Sequence, residues 1–344
     1  MKKQSKLLAL LLACAMTLAL SACGGNSATT STPAGSAAPA ASGSAVATGD
    51  KTYTIGICQL VQHNALDAAT KGFKDALTEK LGDKVKFDEQ NAAGDSATCA
   101  TICNQFVSSK VDLIMANATP ALQAATAATN SIPILGTSVT DYGTALSIAD
   151  WKGTTGTNVT GTADLAPLDK QAEMIKTLFP DKKNVGILYC SAEPNSKYQS
   201  TEITKYLTDA GYTCKEYTFA DSNDVAAVTK TACDESDVLY VPTDNTAASC
   251  AESINNIAEP AKVPIVAGES GICTGCGVAT LSIDYYDLGV VTGNMAYEVL
   301  VNGADPATTE IQFAPKTTYQ YMADRCEKLG VKVPSDYVAI EAEK

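Results

Sequence analysis

One strand-helix-strand segment of this chain occurs twice. Val111-Asp112-Leu113-Ile114-Met115-Ala116-Asn117-Ala118-Thr119-Pro120, an Ala-rich helical stretch and Ile132-Pro133-Ile134-Leu135-Gly136-Thr137-Ser138 return as Asp237-Val238-Leu239-Tyr240-Val241-Pro242-Thr243-Asp244-Asn245, a helical stretch and Val263-Pro264-Ile265-Val266-Ala267-Gly268-Glu269. Two copies of one unit predict two similar lobes. The polar residues differ between the copies. Thr119 stands seven residues after Asp112 and Asp244 seven after Asp237, while Ser138 and Glu269 each stand five after a proline. Hydroxyls in the first lobe therefore answer to carboxylates in the second, the division expected of a cleft that holds a small molecule by a negative end and a positive end.

The rest of the chain alternates strands and helices. Tyr53 to Leu60 reads as a buried strand, and Ala65 to Lys80 as an amphipathic helix with Leu66, Ala69, Phe73, Ala76 and Leu77 on one face. Val85 to Glu89 is the next strand and Ala97 to Ser108 the next helix. The second half restarts with a strand at Asn184 to Tyr189, a helix at Ser196 to Ala210 and a strand at Thr213 to Phe219. This alternation predicts an α/β fold of two Rossmann-like lobes, with parallel sheets covered on both faces and joined by a multi-strand hinge. A long helix from Ile283-Asp284-Tyr285 to Val301 is expected to return to lobe one, and Thr309 to Tyr319 to cross toward lobe two. The expected division is 51–159 plus 285–308 for lobe one and 160–284 plus 309–344 for lobe two. Ligands of such sheets lie at the carboxyl ends of strands, beside helix N-termini. Those ends are Gln59 to His63, Asn117 to Pro120, Gly136 to Asp141, Tyr189 to Ser196, Pro242 to Asn245 and Gly268 to Ser270.

The N-terminus reads as an export signal over residues 1–22. Lys2, Lys3 and Lys6 precede an apolar run from Leu7 to Leu20 that is too short for a stable membrane anchor. Leu20-Ser21-Ala22-Cys23 resembles the lipobox of bacterial lipoproteins, which implies that Cys23 becomes a lipid-bearing N-terminus. Residues 23–50 then read as a flexible tether, almost wholly Gly, Ser, Ala, Thr and Pro. As a coil it spans roughly 25–30 Å. The expected location is the outer face of the cytoplasmic membrane. The net charge of −13 becomes −16 once the three signal lysines are removed. An acidic chain without a basic patch argues against nucleic acid and against adhesion to anionic lipid by charge.

Scarce and abundant residues narrow the chemistry further. There is one histidine, His63, and one arginine, Arg325. A lone histidine excludes His-rich metal sites, and no Gly-x-Ser-x-Gly elbow supplies a nucleophile. Arg325 falls in Ala323-Asp324-Arg325-Cys326-Glu327, which reads as a surface helix, so a ligand carboxylate is expected to meet hydroxyls and helix amides instead. Of twelve cysteines, Cys14 leaves with the signal and Cys23 takes the lipid, so ten remain for disulfides or free thiols. Cys99 and Cys103 lie one helical turn apart, and Cys273-Thr274-Gly275-Cys276 is a CxxC with no further metal ligands at recognisable spacing. No cofactor or metal is expected.

The residues Gly56-Ile57-Cys58-Gln59-Leu60-Val61-Gln62-His63-Asn64-Ala65-Leu66-Asp67-Ala68-Ala69, Ala118-Thr119-Pro120-Ala121, Ser138-Val139-Thr140-Asp141, Asn158-Val159-Thr160-Gly161, Val241-Pro242-Thr243-Asp244-Asn245-Thr246 and Ile283-Asp284-Tyr285-Tyr286-Asp287-Leu288-Gly289 together resemble one family. It is the type I solute-binding proteins of ABC transporters, in their tryptophan/tyrosine-type subgroup, and the resemblance runs from about Tyr53 to Pro306. The chain departs from the family pattern at Cys190 and around Cys273 to Cys276. The resemblance implies a monomeric lipoprotein, not an enzyme, that hands an α-amino acid to membrane permease subunits.

The candidate ligand contacts are Gln59, His63, Ala118, Thr119, Ser138, Thr140, Asp141, Asn195, Asp244, Asn245, Glu269 and Asp284. Thr119, Ser138 and Thr140 are expected at the ligand carboxylate, Asp244 and Glu269 at its ammonium. Thr119 and Asp244 have competing roles as helix caps, and Ser138 and Thr140 as turn residues. Glu269 ends a buried strand where no turn requires a carboxylate. His63 competes as a helix-start residue. Tyr142, Trp151, Tyr189 and Tyr285 are candidates for an aromatic wall or for plain packing. The ligand side chain is expected to be aromatic or large and apolar. The alternatives are a sugar or nucleoside receptor of the same fold, a sensory module, and a secreted enzyme using Asp244 and Glu269 as an acid/base pair.

Overall fold

The computed structural model describes residues 51–341. The signal, Cys23 and the tether fall outside them. No helix among the described residues is long and apolar enough to cross a membrane.

Two sheets organise the chain. The first contains β1 (Tyr53–Gln59), β2 (Val85–Asn91), β3 (Leu113–Asn117), β4 (Ile134–Val139) and β5 (Val159–Ala163). The second contains β6 (Asn184–Cys190), β7 (Thr213–Phe219), β8 (Val238–Val241), β9 (Ile265–Ala267) and β10 (Ala279–Ile283). Late in the chain β11 (Gln312–Phe313) joins the first sheet, while β12 (Thr317–Tyr321) and β13 (Val338–Ala339) join the second. The strand orders are β11-β5-β4-β3-β1-β2 and β13-β12-β10-β9-β8-β6-β7. Their cores, 2-1-3-4-5 and 7-6-8-9-10, are one topology used twice, as the internal repeat requires. Asp112 and Asp237 also do the same work in each copy. The Asp112 carboxylate accepts from the Thr54 amide at 2.8 Å and that of Asp237 from the Asn184 amide at 2.9 Å, fastening the start of each lobe's first strand.

All pairings in the first sheet are parallel. In the second, β12 runs antiparallel to β10. It enters from the other lobe at the cleft end and so runs away from the cleft, opposite to β10 beside it, and β13 on its other side follows it in parallel. The central strands β1, β3, β4 and β8 are buried on both faces and so read as nearly continuous apolar runs.

The helices are α1 (Asn64–Leu81), α2 (Ser96–Ser109), α3 (Thr119–Ala128), α4 (Tyr142–Leu146), α5 (Leu168–Leu178), α6 (Pro194–Asp209), α7 (Val225–Glu235), α8 (Asn245–Ser249), α9 (Ala251–Ala261), α10 (Ser270–Cys276), α11 (Tyr285–Asn302) and α12 (Ala323–Leu329). α11 packs tightly on α1 because glycines let the two backbones touch. A Cβ at Gly289 would fall 2.0 Å from the Ala69 carbonyl oxygen, and one at Gly72 2.1 Å from that of Tyr286.

The chain passes between the lobes after β5, after β10 and between β11 and β12, which makes a three-strand hinge. The expected boundary at 159/160 falls inside β5. That strand lies wholly in the first sheet because it pairs with β4 from Val159 to Ala163, so lobe one runs to the residue before Asp164. β11 likewise extends lobe one's sheet to Phe313 before the last crossing.

All ten cysteines among the described residues are free thiols. Most serve as small core hydrophobes: Cys58, Cys99 and Cys103 pack in lobe one and Cys190, Cys233, Cys273 and Cys276 in lobe two. Among the described residues no group of three or more His, Cys, Asp or Glu is placed to hold a metal ion. In the CxxC, a Cβ at Gly275 would lie 2.3 Å from Ala251 Cβ, so its glycine serves the packing of α10 on α9.

Candidate functional site

The carboxyl ends of the two sheets face each other across the hinge, and side chains link them directly. His63 Nε2 lies 3.3 Å from Asn245 Oδ1, and Gln199 Nε2 on α6 donates to Thr140 Oγ1 at 3.2 Å. The lobes are therefore closed on each other.

In lobe one, β3 and β4 end in unusual backbone. Ala118 has φ 94° and ψ 157°, a region otherwise used by glycine, and Ser138 has φ 53° in a bulge where the β4–β5 register shifts. The bends present Thr119 and Ser138 to the cleft. Both hydroxyls are buried, and neither has a hydrogen-bond partner. Thr119 is not the cap of α3; that position is Ala118, which has no side chain to offer. Uncovered first-turn amides and two unpartnered hydroxyls form a donor set suited to a carboxylate.

The hinge supplies an acceptor that the sequence reading missed. Asp164 follows β5 and is buried. Its Oδ2 accepts from the Tyr285 hydroxyl at 3.0 Å, while Oδ1 has no partner. Burial lifts its pKa to about 6. Asn195 Oδ1 is likewise buried without a partner, while its amide nitrogen donates to Glu193, Ser196 and Thr243.

Glu269 does have a local task. It caps α10, accepting from the Gly271 amide at 2.5 Å and from that of Ile272. It is nonetheless buried, with its pKa raised to about 7 by desolvation despite those two bonds. Nearby Asp164 adds to the shift. The expectation that no turn needs this carboxylate is thus corrected: each of its oxygens accepts from a first-turn amide of α10.

Asp244 is corrected further. Oδ1 accepts from the Ala247 amide at 2.7 Å as cap of α8, and Oδ2 accepts from the Cys190 amide and the Ser196 hydroxyl at 2.7 Å each. Both oxygens serve lobe two's own structure, so its pKa, raised to about 8 by burial and then by Glu193, marks an internal strut. Glu193, absent from the sequence reading, is buried and binds the amides of Asn245 and Thr246 at 3.0 and 2.8 Å.

The remaining candidates divide cleanly. Asn245 bridges Glu193 and His63 across the lobes. His63 starts α1, half-buried, with Nδ1 unpartnered and its pKa held down by burial. Gln59 is consumed inside lobe one, donating to Val61 and Asp67 and accepting from Thr70, so it has no group left for a ligand. Asp141 and Asp284 cap α4 and α11, the latter exposed on the hinge side. Of the aromatic candidates, Tyr142 stacks on Trp151 at 6.0 Å and donates to the Thr162 carbonyl, and Tyr189 packs in the lobe-two core. Tyr285 alone reaches the cleft chemistry.

Two features summarise what this arrangement can do. No ion pair among the described residues involves Asp164, Glu193, Asp244 or Glu269, so these carboxyls are buried without a counter-cation. Beside the polar centre, an interlobe cavity of 310 Å³ is lined by the apolar Leu60, Val61, Pro120 and Ala192 and by polar residues that include Asp95, Glu193 and Asp221. An aromatic-sized group fits a space of that volume.

Comparison with known proteins agrees with this geometry. The family model for ABC transporter substrate binding protein matches residues 54–344. A tyrosine-binding protein of Clostridioides difficile (strain R20291) is 41% identical over 265 residues, 75% of this chain and 76% of that one. A Streptococcus pneumonia ABC domain solved in complex with L-Trp superposes with a TM-score of 0.79 at 35% identity, covering 83% of this chain and 97% of the other. A ligand-free, open substrate-binding protein with adhesive properties from Clostridium difficile gives 0.65 at 36% identity, covering 85% and 100%. At nearly equal identity the match to the ligand complex is the tighter, consistent with the hydrogen bonds that join the lobes here. The chain belongs to the ABC transporter substrate-binding proteins, a family that binds solutes and performs no chemistry on them.

Proposed function

We propose that this protein captures an α-amino acid with an aromatic or large apolar side chain in the interlobe cleft and delivers it to the permease of an ABC importer. The observation that carries the reading is the division of unpartnered buried groups. The hydroxyls of Thr119 and Ser138 await an anion, while Asp164 Oδ1 and Asn195 Oδ1, with the charge of Glu269 nearby, await a cation. A zwitterion satisfies both sets, and burying either set unpaired costs about 1–3 kcal/mol per group. Thr140 accepts from Gln199, and its hydroxyl lies beside Asp164, so it belongs with the acceptor set rather than with the hydroxyls for the carboxylate. The side chain lies in the cavity between Leu60 and Pro120 on one lobe and Cys190 and Ala192 on the other. Relatives named for tyrosine or solved with L-Trp support this class of ligand.

In this reading the signal is removed, Cys23 carries lipid, and the monomeric receptor hangs on its tether at the outer face of the cytoplasmic membrane. Because the two halves of the site lie on different lobes, the ligand binds fully only when they meet, so binding drives closure. The test is a thermal-shift screen of residues 51–344 against the twenty amino acids, common sugars and nucleosides. Saturation at 100 Kd stabilises by about 2.7 kcal/mol. A response confined to Tyr, Trp or Phe supports the proposal, and a response only to a sugar or nucleoside overturns it.

A further inference from the structure

The chain spends its one arginine in an unexpected place. Arg325 on α12 is 7% exposed, and its guanidinium reaches the carboxyl end of α10. Nη1 donates to the carbonyls of Cys273 at 2.9 Å and Gly277 at 2.6 Å. Nη2 donates to those of Thr274 at 3.1 Å and Gly275 at 3.2 Å. Nε faces Glu259 Oε2 of α9 at 3.7 Å. Those of Thr274 and Gly275 are last-turn carbonyls that a helix leaves open, that of Cys273 also accepts from the Gly277 amide at 2.9 Å, and that of Gly277 lies just beyond the helix.

α10 is too short to persist alone, yet its cap is Glu269, and the amides that hold Glu269, those of Gly271 and Ile272, stand about one turn or less from the Cys273, Thr274 and Gly275 carbonyls held by Arg325. The same segment is hung by Gln171, which donates to the Gly268 carbonyl at 3.1 Å, and by Ser282, which accepts from the Ser270 amide at 3.1 Å. We propose that Arg325 is a positioning residue for ligand recognition: by binding four carbonyls at one end of α10 it fixes the place of the Glu269 carboxylate at the other. The inference rests on the reading that Glu269 faces the ligand's ammonium. A planar fork with fixed donors can hold four carbonyls at once, and a lysine ammonium with three cannot.

The experiment is a double-mutant cycle on the binding of L-tyrosine by calorimetry, using Arg325→Lys, Glu269→Gln and the pair. Coupled positions remote from a ligand typically change affinity by about 3- to 30-fold. R325K alone is expected to weaken tyrosine binding by that factor, to change binding less than about 2-fold once Glu269 is already Gln, and to speed hydrogen exchange at the Gly271 and Ile272 amides. The same loss in both backgrounds overturns the positioning role while leaving the ammonium reading intact. Unchanged tyrosine binding by E269Q overturns the ammonium reading and the inference with it. If R325K does not fold, Glu259→Gln loosens the guanidinium from its α9 side at a partly exposed position. It is then expected to reproduce the coupling at smaller amplitude, and independence from E269Q counts against the proposal.

Discussion

Ligand binding to this cleft should release protons, and the number can be worked out. In the closed, ligand-free site Glu269 titrates at about 7 and Asp164 at about 6, both pushed up by burial without a cation. At pH 7 Glu269 is half protonated and Asp164 about one-tenth, so an ammonium that demands both charges expels about 0.6 proton per ligand; at pH 6 the figure is about 1.4, and by pH 8.5 it is near zero. Integrating between pH 6 and 8, affinity should rise about 20-fold, roughly tenfold from Glu269 and twofold from Asp164. Calorimetry in two buffers of different ionisation enthalpy measures the release directly, and E269Q should reduce it to about 0.1 at pH 7. An observed enthalpy independent of buffer at pH 6 and 7, or proton uptake, would refute the idea that a cation enters among these carboxylates.

The ligand-free protein should show the opposite trend. These carboxyls titrate near 4 in the unfolded chain but hold protons to about 6 and 7 when folded. Their contribution to stability is therefore fully present below about pH 4 and is lost as pH rises from there through about 7, so the Tm should fall across that window, and saturating ligand, which keeps both carboxylates charged, should remove their share of the slope. Thr119→Val and Ser138→Ala remove hydroxyls that have no partner without ligand. Urea melts should show stability unchanged or slightly raised, while calorimetry shows affinity lower by about 1 kcal/mol each; equal losses in both would assign these hydroxyls to the fold. Ala118→Gly relieves backbone at φ 94°. Strain of this kind costs about 1–3 kcal/mol and the added chain entropy takes back about 0.5–1, so a net gain of about 1 kcal/mol is expected in a urea melt. Gln199→Ala cuts the bond to Thr140 that joins the lobes; small-angle scattering of the ligand-free protein should show a larger radius of gyration, and an unchanged one would mean that this bond does not hold the cleft closed.

The fold was legible because its signals are long and repeated. Continuous apolar strands, helical periodicity and a duplicated unit with matching Asp112 and Asp237 all point to one architecture, and the turnabout of β12 and the reach of β5 are set by tertiary pairing that no local pattern carries. Candidate ligand groups were legible where chemistry and position coincide, as at Thr119 and Ser138 on strand ends, whose hydroxyls are buried without a partner. It was hidden where one residue type serves two purposes. A glutamate is an uncommon helix cap, so Glu269 read as free although it closes α10, and Asp244 read as a ligand residue although Cys190, Ser196 and Ala247 use both its oxygens. Asp164 carried no local pattern at all. It follows a strand of Thr and Gly, and what makes it an acceptor is burial at the hinge beside Tyr285, far away in sequence. Arg325 was misplaced because its charged neighbours Asp324 and Glu327 suggest a surface helix, while the open carbonyls that draw it inward belong to a segment about fifty residues earlier.

The most direct test of the zwitterion cleft is the affinity of L-tyrosine set beside tyramine, which lacks the carboxylate, and 3-(4-hydroxyphenyl)propionate, which lacks the ammonium. Each charged hydrogen-bonded end is worth about 1.5–3 kcal/mol, so tyrosine should bind at least about tenfold more tightly than either analogue. Equal binding of tyramine would remove Thr119 and Ser138 from the site, and equal binding of the propionate would remove Asp164 and Glu269.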